Sequence, residues 1–76
     1  MKTVKISLNS IDKVKSFVND ITKFDYDFDL VSGRYAVDAK SIMGIFSLDL
    51  SKPIELDAHT DDADKFLKEI DRFIAK

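Results

Sequence analysis

Between residues 24 and 39 the chain keeps a two-residue period on both sides of one glycine, and no other stretch constrains its folding as much. Phe24, Tyr26, Phe28 and Leu30 alternate with Asp25, Asp27 and Asp29, so one face of an extended segment is apolar and the other acidic. Ser32-Gly33-Arg34 supply a turn in which Gly33 is free to take positive φ. Tyr35, Val37 and Ala39 carry the alternation onward. The expectation is a hairpin with strands over residues 24–31 and 35–39.

The remaining segments read in the same two periods. Residues 2–8 place Val4, Ile6 and Leu8 on one side and Thr3, Lys5 and Ser7 on the other, a first strand. Asn9 and Ser10 offer side-chain oxygens to the free amides of a helix start, and Ile11, Val14, Phe17, Val18 and Ile21 form its apolar stripe, ending near Lys23. Ser41 caps a short helix through about Leu48, Pro53 bars helical continuation, and Ile54, Leu56 and Ala58 alternate as a fourth strand. Thr60 or Asp61 opens a last helix whose stripe is Ala63, Phe66, Leu67, Ile70, Phe73 and Ile74. The order β-α-β-β-α-β-α predicts an α+β open-faced sandwich: one four-stranded antiparallel sheet with helices on one face. Residues 1–76 leave room for a single domain, near the lower limit for a core without staples.

Composition narrows function. With no cysteine, disulfides, thiolate metal sites and thiol nucleophiles are excluded, which fits a reducing cytoplasm. The alternating start lacks the unbroken apolar run of a signal peptide or membrane span, so a soluble, unexported protein is expected, without a membrane partner. A formal charge of −2 argues against nucleic acid. Asp25, Asp27 and Asp29 read as a solvated strand face rather than a cation site. The run Thr60-Asp61-Asp62-Ala63-Asp64 complements a helix N-terminus, where Asp64 can complete a capping box. His59 is the one imidazole and stands at a strand end with no second histidine or cysteine to complete a metal site. No Ser-His-Asp set and no glycine-rich phosphate loop is present, so neither an enzyme, a cofactor nor a metal is expected.

Lys40 to Leu50 asks for more. Ile42, Ile45 and Leu48 can pack under the sheet, with Gly44 permitting close helix approach. A helix this short cannot turn every apolar side chain inward, so some of Ile42, Met43 and Phe46 are expected on the surface as an adaptable apolar patch.

The block Lys40-Ser41-Ile42-Met43-Gly44 with Ile45-Phe46-Ser47-Leu48 behind it resembles the regulatory-serine region of HPr, the histidine-containing phosphocarrier of the bacterial sugar phosphotransferase system. "KTVKIS" is similar to the family's first strand, "TKFDYDFDL" to its second strand with the preceding helix end, and "ADKFLKEIDRFI" to its last helix. The resemblance implies the HPr-like fold and a regulatory phosphorylation site at Ser41, used in Gram-positive relatives by an ATP-dependent kinase. It also implies a docking surface at Lys40, Ile42, Met43 and Phe46 for proteins of the phosphotransferase system or a transcription regulator. The family's phosphoryl-carrying histidine precedes an alanine-arginine-proline run at the start of the first helix. Here that place reads Leu8-Asn9-Ser10-Ile11-Asp12-Lys13-Val14, with Ser10 at about the histidine's position. A serine does not carry a phosphoryl group of comparable transfer potential, and His59 is expected at the far end of the fourth strand. The leading expectation is therefore a non-catalytic binding or regulatory module that lost its phosphohistidine site. The alternatives are a phosphocarrier using Ser10 or His59, and a diverged paralogue whose short helix serves packing only.

Overall fold

A computed structural model of the chain describes residues 1–61 and 64–75. Strands β1 (Lys2–Ile6), β2 (Phe28–Ser32), β3 (Tyr35–Asp38) and β4 (Ile54–Ala58) form one antiparallel sheet in the order β1-β4-β2-β3. Helices α1 (Ile11–Ile21), α2 (Ile42–Phe46) and α3 (Asp64–Glu69) follow β1, β3 and β4, and a 3-10 turn spans Asp71–Phe73. The open-faced α+β architecture expected from the periodicity is the one observed. Gly33, at φ 60°, closes the β2–β3 hairpin, a conformation that side chains with a Cβ rarely adopt.

One face of the sheet is dry. Ile6, Phe28, Leu30, Ile54, Leu56 and Ala58 are fully or almost fully buried against Val14, Phe17 and Ile21 of α1, Ile45 of α2, and Phe66, Ile70 and Phe73. Burying each large apolar side chain contributes about 1.5–3 kcal/mol, which the ordering of the chain largely offsets. Phe28 meets Phe66 edge-on at 5.3 Å, and Phe17 meets Phe73 edge-on at 5.7 Å. Arg72 stacks on Phe73 at 4.8 Å and bonds Asp20 at 2.8 Å, tying α1 to the C-terminal turn through a carboxylate that is 7% exposed.

The other face carries a row of acids. The register sets Asp57 opposite Asp29, and Asp29 opposite Asp38, on three adjacent strands, with Thr3 completing the row on β1. Thr3 Oγ1 donates to Asp57 at 3.0 Å.

Several element ends differ from the periodicity. The second strand begins at Phe28 rather than Phe24, because β4 reaches only to Ala58 opposite Phe28 and His59 N–H then takes the Asp27 carbonyl at 2.9 Å. Asp25 and Asp27 therefore lie outside the strand, and Asp29 alone of the three stands on its outer face. Strand β1 ends at Ile6, not Leu8, since β4 begins opposite it at Ile54 just after Pro53. Ser7 N–H instead meets the Phe73 carbonyl at 2.7 Å, beside an Ile6–Ile74 bridge. Strand β3 stops at Asp38, α1 at Ile21, and α2 at Phe46, although Leu48 beyond α2 is still buried. The last helix is shorter than its stripe: after Glu69 it tightens into the 3-10 turn that delivers Ile74 to the β1 edge. Thr60 and Asp61 are not helical, and the expected positions Asp62 and Ala63 lie outside the described residues. Ile11, placed in the buried stripe by spacing, is 61% exposed, because at the first helical position it projects past the edge of the core.

Candidate functional site

Ser10 and Ser41 each open a helix, at opposite ends of the sheet. Ser10 is the N-cap of α1, with extended backbone and its Oγ accepting from Lys13 N–H at 3.2 Å. Ser41 plays the same part for α2, accepting from Gly44 N–H at 3.2 Å. Neither hydroxyl oxygen is spare in the folded chain, since each satisfies an amide that the helix itself leaves unpaired.

Gly44 lets α2 lie close on β3. A Cβ there would stand 3.3 Å from Val37 Cβ and 3.4 Å from Ser41 Oγ, tighter than ordinary contact. Ser47 closes the helix, its N–H and its hydroxyl both donating to the Gly44 carbonyl at 3.1 and 2.6 Å. With α2 held this way, Ile45 is fully buried and Leu48 nearly so, while Ile42, Met43 and Phe46 are 38%, 80% and 40% exposed. Ile45 and Leu48 thus serve the core, and the other three form an apolar surface.

Phe46 also borders a groove of about 480 Å³ shared with Asn9, Ser10, Ile11, Leu50 and Ser51. The fold therefore brings the Ser10 turn and the α2 face together, residues more than thirty positions apart. Ile11 extends the apolar surface onto α1. Reading helical spacing alone hid it among the core residues; its place at the first helical position was the available signal.

Lys40 is half-buried, and its ammonium does not point at Ser41. Its Nζ donates to the Phe24 carbonyl at 2.7 Å and lies 5.7 Å from the Phe28 ring centre, while its N–H bonds Asp38. Beyond α2, the Ser51 hydroxyl and then its N–H donate to Asp49 at 2.5 and 3.1 Å. With Lys52 nearby, they hold that exposed carboxyl below the usual carboxylate value.

His59 stands elsewhere. Ala58 pairs with Lys2 at the start of β1, whereas the Ser10 turn follows the end of that strand, so His59 is at the opposite end of the sheet. Its Nε2 contacts Asp29 Oδ2 at 2.7 Å. Among the described residues no group of three or more histidine, aspartate or glutamate side chains is arranged to hold a metal ion, and no helix is long and apolar enough to cross a membrane.

Residues 13–76 match the family model described as the PTS HPr component phosphorylation site. The chain belongs to the HPr family. These are the phosphocarrier proteins of the phosphotransferase system, which work with other proteins of that system. The chain is similar to HPr-C-His from Thermoanaerobacter tengcongensis, with 30% identity over 95% of this chain and 89% of that one and a TM-score of 0.78. It is similar to the phosphocarrier protein HPr of Bacillus anthracis strain Ames, with 27% identity over 97% and 94% of the two chains and a TM-score of 0.72. A mycoplasma histidine-containing phosphocarrier protein, 18% identical over 93% of this chain and 86% of that one, shares the fold at a TM-score of 0.70. No curated protein matches the chain. An HPr phosphocarrier is not itself a catalyst.

Proposed function

We propose that this HPr-family chain is a cytoplasmic, single-domain binding module that docks proteins of the phosphotransferase system, or a transcription regulator, without carrying a phosphoryl group itself. The observation that carries the reading is the pairing of an exposed apolar α2 face with a histidine-free turn beside it. Met43 and Phe46 remain exposed, and Phe46 borders a groove that Ser10, not an imidazole, shares. The family match begins at Lys13, after that turn. His59, the sole histidine, is at the other end of the sheet and bonded to Asp29. A serine phosphoester at Ser10 would lack the transfer potential of a phosphoimidazole, so the turn is read as a helix cap.

In this reading Ile42, Met43 and Phe46 are the anchors of docking, and Lys40 positions them by holding the Phe24 backbone against the start of α2. Ser41 is the regulatory phosphorylation site. A phosphate there would add charge at the first turn of α2, beside the Gly44 amide that the hydroxyl already engages.

Calorimetric titration with enzyme I of the phosphotransferase system tests the docking. Met43→Lys combined with Phe46→Ser should abolish measurable binding while the circular dichroism spectrum of the fold is retained. Unchanged affinity defeats the assignment of the surface.

A further inference from the structure

Three lysines gather at the far end of α1. Lys23, Lys65 and Lys68 line a groove of about 560 Å³ together with Phe24 and Glu69. The chain as a whole is acidic, yet here three ammonium groups stand against one carboxylate. Among the described residues Glu69 pairs with Lys23, at 3.8 Å, and both side chains are about half exposed, so this pair neutralises little. Lys65 and Lys68 make no ion pair among the described residues. They are three apart on α3, a spacing at which like charges share a face and repel.

The groove also has a firm apolar side. The Phe24 ring is half-buried and packs against Tyr26 at 5.6 Å and Phe28 at 6.3 Å, and its carbonyl is held by Lys40. An aromatic held rigid offers an apolar contact, and the cations edging it offer charge complementarity to an acidic partner. The eleven residues of α1 put about 16 Å of helix between this groove and Ile11, so it is separate from the groove at Ser10 and Phe46.

We propose that the groove docks an acidic segment of a partner protein, with carboxylates meeting Lys23, Lys65 and Lys68 and an apolar side chain lying on Phe24. A compact polyanion fits less well. The groove adjoins the C-terminal end of α1, whose outward carbonyls oppose concentrated negative charge. Three long side chains spread over two helices match a string of separate carboxylates.

The test is an amide-resolved NMR titration of the full chain with a capped peptide that alternates glutamate and leucine, beside a lysine-leucine peptide, ATP and a single-stranded oligonucleotide. The acidic peptide should shift the amides of Lys23, Phe24, Lys65 and Lys68, the basic peptide should not, and added salt should weaken the effect. Lys65→Glu with Lys68→Glu, both on exposed positions, should weaken binding about tenfold or more. Absence of shifts, or shifts confined to α2, overturns the proposal. So does an equal response to ATP or to the oligonucleotide, which would assign the groove to phosphate instead.

Discussion

Replacing Asp57 by asparagine is expected to raise the stability of the fold, because three aspartates occupy one row across the solvent face of the sheet. Asp29 is opposite Asp57 on one side and Asp38 on the other, so it feels both charges at cross-strand distance. Two unit charges about 5 Å apart repel by about 0.8 kcal/mol in bulk water. Physiological salt, with a screening length of about 8 Å, reduces this to about 0.4 kcal/mol. Asp57 is the informative member. Asp29 has His59 as a partner, and Asp38 accepts from the Lys40 amide, whereas among the described residues Asp57 has only the Thr3 hydroxyl, which an asparagine oxygen accepts equally well. Asp57→Asn should therefore gain about 0.5 kcal/mol at low salt, about 2–4 °C in Tm for a chain of this size. Urea unfolding at low and high sodium chloride measures it. The gain should shrink as salt rises. A neutral or destabilised variant at low salt, or a gain indifferent to salt, would refute the electrostatic account of the row.

Two further substitutions examine the site's supports. Ser41→Ala should cost about 1 kcal/mol by removing the acceptor for Gly44 N–H, and Ser41→Asp, which can still cap, should stay near the parent in the same unfolding assay. Asp49 titrates below its ordinary value chiefly because of Ser51, so its contribution to stability is present above the unfolded-state value of about 3.8 and is lost as pH falls through the lower folded value. Ser51→Ala should raise the Asp49 midpoint in an NMR titration, and its stability deficit should vanish at the acid end of the range.

The parts of the fold that alternation made visible are those where both neighbours in the sheet exist. Ile54–Ala58 sits centrally between β1 and β2, and its observed ends are those its pattern implies. "FDYDFDLV" shows the limit: its period continues back to Phe24, but no strand lies beside residues 24–27, and their rings stack with Phe28 and Phe66 instead. The last helix shows another. Phe66, Ile70 and Phe73 fit an α-helical stripe, yet a 3-10 turn presents Phe73 to the core as well, so periodicity cannot separate the two. At the candidate site, the inward Ile45 and outward Met43 and Phe46 were legible because a one-turn helix has room for few inward positions. That Ile11 and Leu50 join Phe46 around the Ser10 turn was not, since it depends on how α1 and the segment after α2 come together.

The same turn decides between carrier and binding module. The direct measurement is intact mass of the chain after incubation with phosphoenolpyruvate and enzyme I, with an active HPr in the same tube as control and an acid treatment to distinguish phosphohistidine from serine ester. The account predicts that the control gains an acid-labile phosphoryl group and this chain gains none. An acid-labile phosphoryl group on this chain, mapped to His59, would contradict it.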